Sequence, residues 1–314
     1  MSKEILGIHH ITAIAGDPQT NIDFYAGLLG LRLVKLTVNF DDPGTYHLYY
    51  GDGAGHPGTI LTFFPWPHAP KGRHGTGQVT HTAFAVPVSA LDYWTDRLHR
   101  RAIGFTRSPD RFGEKVIAFA DPDGMAIELI FTASVNIDRA YQAGPVAVEN
   151  AIHGFHSATL SEEGYQRTAE LMTGTLGFKL AAEDGNRFRY AIGSGEPGSM
   201  IDILCAPEEQ RGSVLVGTVH HIAFRTRDDQ QQLEWLKEIT RLGYNASPVM
   251  DREYFHSIYF REPGGILFEI ATDPPGFAIN ESIETLGSKL VLPPWLEARR
   301  AQLEAVLPPL SLPA

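Results

Sequence analysis

Cysteine is nearly missing from these 314 residues: Cys205 stands alone, so no disulfide can join two parts of the chain. That fits a reducing compartment. Long apolar runs are missing too. None reaches the roughly 18–20 residues that a membrane helix needs, and the opening MSKEILGIHH has no apolar stretch of the secretory kind. The expectation is a soluble, cytoplasmic protein with no membrane partner. Positive charge is scarce as well: 26 Lys and Arg against 37 Asp and Glu leave a formal net charge of −11, with no basic stripe. Nucleic acid is therefore not expected as a partner, because affinity there rests on neutralised phosphates. KGRHGTGQ (71–78) is rich in glycine but lacks the G-x-x-x-x-G-K-[ST] order of a phosphate loop.

Turn residues and a repeat are what the chain does have. Its 31 Gly and 21 Pro, beside 43% hydrophobic residues, favour many short elements around ordinary cores. Four segments open on a strand that contains histidine: GIHHITAI (from Gly7), VTHTAFAV (from Val79), GFHSATL (from Gly154) and TVHHIAFR (from Thr218). Each is followed by a helical pattern and then by a glycine that opens a second strand: Gly30, Gly104, Gly177 and Gly243. Each segment closes on a glycine and an apolar strand. Four residues beyond Gly58, Gly124, Gly198 and Gly265 stand Thr62, Glu128, Asp202 and Glu269. Self-similarity of this kind defines the architecture before any single motif does.

The expected fold class is therefore α+β: four βαβββ modules arranged as two tandem domains, with curved mixed sheets forming open barrels. The N-terminal domain is placed at 1–134, a linker without helical or strand period at 135–151, the C-terminal domain at 152–280, and a tail at 281–314 with one short helix bounded by prolines.

A carboxylate on an apolar strand is costly unless it is paired or binds a cation. A lone example would as readily meet an arginine. Here the position recurs, and each module also supplies a strand histidine. Two histidines and one carboxylate with open positions form the facial triad of non-haem Fe(II) oxygenases. The doublets His9–His10 and His220–His221 pose a puzzle, because adjacent strand residues point to opposite faces. Pairing of adjacent modules would gather His156, His221 and Glu269, with Asp202 nearby. Pairing of the outer modules would gather His10, His221 and Glu269, with Thr62 in the fourth slot. Only modules one and four carry the doublet, which favours the outer pairing. That leaves His81, Glu128, His156 and Asp202 as a second or vestigial metal site.

HHIT (9–12), FYAGLLGLRLVKLTVNFDDPGTYHLYY (24–50), DRFGEK (110–115), VHHIAF (219–224) and DREYFHSIYFREPGGILFE (251–269) together resemble the vicinal oxygen chelate superfamily, which spans glyoxalases, bleomycin resistance proteins and extradiol dioxygenases. The likeness is nearest to ring-cleaving dioxygenases of the hydroquinone 1,2-dioxygenase type and covers all four modules. The resemblance implies a non-haem iron enzyme of extradiol type, with His10, His221 and Glu269 as ligands of Fe(II). Mn(II) or another divalent metal is an alternative. Its substrates would be a small hydroquinone- or catechol-like aromatic and O2, and a homo-oligomer would be in keeping.

His220 is expected to shuttle protons, Tyr259 to donate one or to bond a substrate oxygen, and Arg252 to stabilise anionic oxygen. His9, Thr12 and His256 are assigned to substrate binding, with support of the metal ligand as the alternative for His9. For Tyr259, Arg252 and Thr12 the plainer alternatives are packing, a surface ion pair and strand propensity. His56, His68 and His74 read as solvated loop residues. A glyoxalase-like metal-dependent isomerase or lyase, and a non-catalytic resistance protein that binds a small molecule, are the rival functions.

Overall fold

The protein is described by a computed structural model over residues 3–135 and 139–312. Residues 136–138 of the expected linker lie outside the described residues. No described helix is long and apolar enough to cross a membrane.

Four βαβββ modules follow one another. The first comprises β1 (Ile8–Ala15), α1 (Pro18–Ile22, continuing as a π turn over Asp23–Leu28), β2 (Arg32–Val38), β3 (Tyr46–Gly51) and β4 (Ile60–Pro65). The second comprises β5 (Gln78–Pro87), α2 (Leu91–Arg100), β6 (Phe105–Arg111), β7 (Glu114–Ala120) and β8 (Ala126–Thr132). The third comprises β9 (Phe155–Glu162), α3 (Gln166–Gly174), β10 (Lys179–Asp184), β11 (Arg187–Ala191) and β12 (Met200–Cys205). The fourth comprises β13 (Thr218–Thr226), α4 (Asp229–Arg241), β14 (Met250–Asp251), β15 (Phe255–Arg261) and β16 (Leu267–Pro275).

Local chemistry explains the helix ends. Asp228 caps α4 by accepting from Gln231 N at 2.9 Å, and Trp235 and Ile239 set its buried face. Three of the helix-ending glycines, Gly30, Gly177 and Gly243, take positive φ, the left-handed conformation that stops a helix without a Cβ penalty. In the second module Ala102 adopts it instead, and Gly104 does not.

The modules assemble into two curled, mixed eight-stranded sheets. One has the order β14-β15-β16-β13-β1-β4-β3-β2 and the other β10-β11-β12-β9-β5-β8-β7-β6. Modules one and four thus share a sheet, and modules two and three share the other. Each sheet draws on both the 1–134 and the 152–280 portions of the chain. Ile8 N donates to Gly198 O at 2.7 Å and Phe155 N to Gly58 O at 2.9 Å, stitching one sheet to the other. Gly7 makes the first contact feasible: a Cβ there would lie 2.6 Å from Gly198 O.

Beyond Pro275 the chain crosses back to module one. Val291 N donates to Leu36 O at 2.9 Å, and Lys35, fully buried, pairs with Glu281 and donates to Asn280 Oδ1 at 2.7 Å. This covers the free edge of β2, which would otherwise expose unpaired backbone groups. The tail then forms a short helix, α5 (Arg300–Val306), between Pro293–Pro294 and Pro308–Pro309.

Candidate metal centre

The strands β1 and β13 lie antiparallel at the middle of their sheet, and the ladder between them slips twice. His9 has no partner between the pairs Ile8–Phe224 and His10–Ala223, and His220 has none between Thr12–His221 and Ala13–Val219. Both doublets therefore sit on β-bulges. A bulge sets two residues against one and re-aims their side chains. It resolves the puzzle of adjacent histidines: the two imidazoles of a doublet meet edge to edge, with Nδ1···Nδ1 distances of 2.9 Å for His9–His10 and 2.8 Å for His220–His221.

The second member of each doublet faces the axis between the modules. His10 Nε2 is 3.2 Å from His221 Nε2 and 3.2 Å from Glu269 Oε2, and His221 Nε2 is 2.9 Å from that oxygen. All three residues are buried, and among the described residues this is the one group of three or more His, Cys, Asp or Glu gathered closely enough to hold an ion. Glu269 comes from β16, beside β13, and Ser257 on β15 donates to its Oε1. Its Oε2 has no aligned hydrogen-bond donor.

Burial alone would raise the Glu269 pKa, but the facing imidazoles of His10 and His221 reverse this and hold it well below the usual carboxylate range. Burial pushes His221 down, partly opposed by Glu269. Burial pushes His9 well down, helped by His10. Neutral His9 donates from Nε2 to the Thr272 carbonyl at 3.1 Å, so its Nδ1 accepts from His10 Nδ1. His10 Nε2 is left with a lone pair aimed at the Glu269 oxygen.

Two imidazole nitrogens and a carboxylate oxygen gathered this closely are a donor set able to hold a cation. Donor atoms at right angles on bonds of about 2.1 Å are roughly 3.0 Å apart, against roughly 3.4 Å for tetrahedral angles. The 2.9–3.2 Å separations are of the size that either arrangement spans. The residues present thus fit a divalent metal.

A cavity of about 320 Å³ opens beside the triad. Its walls are aromatic (Tyr49, Phe64, Trp66, Phe255, Tyr259), and its polar groups include Thr12, His47, His220, Asp41 and Arg252. Arg252 bridges the mouth, donating to Asp41 Oδ2 at 3.0 Å and to Tyr259 Oη at 3.2 Å. Burial, then the Glu269 carboxylate, raises the Tyr259 phenol, which stays protonated. Burial, then His221, lowers His220 to about 3.

Two expected substrate-binding residues lie elsewhere. His9 is behind His10 and does not line the cavity. His256 points away to the first turn of α4, with Nδ1 2.6 Å from Asp229 Oδ1.

The inner set does not gather round an ion. Arg111 clasps both oxygens of Glu128 at 2.5 and 2.7 Å, and Arg189 clasps both of Asp202 at 2.7 and 3.1 Å, with Arg187 at 3.1 Å. His156 turns to Glu114, 3.0 Å away. The register explains the misfit. Asp202 pairs with Thr159 as Glu269 pairs with Ala223, so the counterpart of His221 in module three is Ser157. His156 occupies the bulge, in the place of His220. Of the two inner histidines only His81 holds a ligand-equivalent position, that of His10, with its Nδ1 3.1 Å from Thr80 Oγ1.

Missed by sequence reasoning were His47, Tyr49, Asp41 and the aromatic wall. Tyr49 pairs with Thr62 as Tyr259 pairs with Glu269, but the intervening hairpin is longer in module one. Thirteen residues separate Tyr49 from Thr62 against ten between Tyr259 and Glu269, which hides the equivalence in the sequence.

Residues 7–129 and 154–270 match the Glyoxalase/Bleomycin resistance protein/Dioxygenase superfamily, and the chain belongs to that superfamily. It is 49% identical over 312 residues, 99% of each chain, to the Bacillus subtilis (strain 168) protein named "Putative ring-cleaving dioxygenase MhqO". It is 35% identical over 309 residues, 96% of each, to the chlorohydroquinone/hydroquinone 1,2-dioxygenase of Sphingobium indicum. A crystal structure of a "putative dioxygenase" from Bacillus subtilis subsp. subtilis str. 168 superposes with a TM-score of 0.95 at 48% identity, covering 99% of both chains.

Proposed function

We propose that the protein is an Fe(II)-dependent ring-cleaving dioxygenase of extradiol type, acting on a hydroquinone- or catechol-like aromatic in the cytoplasm. We take 1–134 and 152–280 as its tandem halves, 135–151 as the linker and 281–314 as the tail. The observation that carries the functional reading is the buried His10–His221–Glu269 set opening on a small aromatic-walled cavity with Thr62, not a carboxylate, in the fourth slot. The names of the full-length relatives support it.

Iron bound by the triad would bring a phenolic oxygen and O2 together and let electrons pass between them. The chain's own contribution is binding, orientation and proton handling. Tyr49, Phe64, Trp66 and Phe255 enclose a single ring and limit access of water. His220 lines the cavity; with His221 bound through Nε2, His221 Nδ1–H donates to His220 Nδ1, so His220 presents Nε2–H and is placed to hand a hydrogen bond or proton to a substrate oxygen. Tyr259 presents a protonated hydroxyl fixed by Arg252, and that guanidinium is placed to stabilise charge developing on a ring oxygen. His9 and Ser257 hold the ligand groups in orientation.

A glyoxalase-like isomerase is less well supported, since Thr62 replaces the second carboxylate such a site employs. Sequestration without catalysis needs no buried triad. The test is anaerobic Fe(II) loading followed by O2 uptake with methylhydroquinone, chlorohydroquinone and catechol. Uptake with at least one, lost in His221→Ala, is expected. No uptake across the panel with iron demonstrably bound would refute the reading.

A further inference from the structure

The site has an approximate two-fold axis, and one of its halves is altered in an informative way. The axis passes through the paired Ile11 and Ile222 and carries His10 onto His221. Thr62 falls on Glu269, because it pairs with Thr12 and Tyr49 as Glu269 pairs with Ala223 and Tyr259. Two residues before each tyrosine, His47 falls on Ser257.

In module four that position orients the ligand, with Ser257 donating to Glu269 Oε1. In module one the ligand is gone and the position holds an imidazole. His47 Nε2 lies 2.8 Å from Thr62 Oγ1, and Thr62 Oγ1 donates onward to Thr12 Oγ1 at 2.9 Å. The Thr62 proton is committed to Thr12, so Thr62 can only accept from His47. This fixes the Nε2–H tautomer and leaves Nδ1 as an acceptor. The ring is held beside Tyr49 and Phe64, at centroid distances of 3.9 and 4.4 Å, and lines the cavity. The Thr62–Thr12 chain would be superfluous if His47 served only as an aromatic wall, since phenylalanine would stack equally well.

We propose that His47 is a substrate-positioning residue, which accepts a hydrogen bond from a ring hydroxyl that is not bound to the metal. It stands in the half of the site where a fourth ligand is absent. It thereby selects aromatics with a second, protonated hydroxyl over monophenols. This rests on the metal-centred aromatic site proposed above but not on oxygen chemistry.

The test uses the full chain loaded with Zn(II), which is redox-silent, so that binding is read without turnover. Dissociation constants for hydroquinone and phenol are measured by calorimetry in the parent protein, His47→Phe and His47→Gln. His47→Phe keeps the stacking and removes the acceptor. It should weaken hydroquinone about tenfold, the loss of one hydrogen bond of about 1.4 kcal/mol, change phenol less than twofold, and leave one zinc per chain. His47→Gln, which can both donate to Thr62 and accept from a hydroxyl, should recover most of the preference. Equal losses for the two ligands, unchanged affinities, or no hydroquinone binding by the parent would overturn the proposal. Absence of O2 uptake by the iron form with this preference intact would instead refute the dioxygenase reading alone.

Discussion

Replacing Arg111 by methionine takes the guanidinium away from a carboxylate that is 1% exposed on a central strand. Burial alone would raise the Glu128 pKa, and the Arg111 contact reverses the shift, so the carboxylate is charged at neutral pH. Breaking such a buried pair from one side costs about 3–5 kcal/mol, because a charge is left uncompensated. The lower end applies here, since the Arg111 side chain is 13% exposed and water can reach the gap. At about 2–4 °C per kcal/mol for a chain of this order of size, the melting temperature should fall by roughly 6–12 °C. Arg111→Met with Glu128→Leu should recover most of the loss, because an apolar pair replaces an ionic one at little net cost.

The sign with pH follows from the depressed pKa. The pair's stabilisation is present above the unfolded carboxyl's pKa of about 4.3 and is lost as pH falls through the lower folded value. The difference between parent and Arg111→Met should therefore be full at pH 7 and shrink below about pH 4. Scanning calorimetry across pH, with metal analysis at neutral pH, makes the measurement. A loss under about 0.5 kcal/mol, the range of ordinary surface changes, or a metal content that falls with Arg111, would refute the reasoning that arginines have made this inner set structural.

Ser257→Ala removes the donor that fixes Glu269 Oε1, and should weaken metal binding about 10–100-fold; competition against a calibrated chelator reads it, and unchanged affinity contradicts the orienting role. Glu162 is pushed up to about 8 by burial and the adjoining Glu262 carboxyl. A raised acid favours the protonated fold, so its contribution is intact below about pH 4.3 and declines as pH rises toward 8. Glu162→Gln should accordingly raise the melting temperature at pH 8 and leave it nearly unchanged at pH 4.5. An equal gain at both pH values would count against the shared buried proton.

Much of this architecture was legible in the residues themselves. The four histidine-bearing strands, the glycines closing each helix and the aligned carboxylates marked four modules, and the doublets in modules one and four marked which modules belong together. Bulges were not legible, because one extra residue in a strand leaves no trace in composition or period. The strand motif alone aligns His156 with the histidines of the other modules, whereas the ladder puts Ser157 in the place of His221. The same limit hid why two adjacent histidines are useful: a regular strand would separate them, and a bulge brings their Nδ1 atoms together. The fate of the inner carboxylates depended on partners remote in sequence, since Arg189 reaches both Asp202 and Glu114. His47 was hidden by a hairpin of different length, and its meaning emerges only from comparing the two halves of the site.

The most direct measurement is X-ray absorption and diffraction at the iron edge on anaerobically Fe(II)-loaded protein. One iron per chain, held by His10 Nε2, His221 Nε2 and a Glu269 oxygen with the remaining positions free of protein donors, is the predicted result. Iron bound anywhere else, or a fourth protein donor such as His47 closing the site, would contradict it.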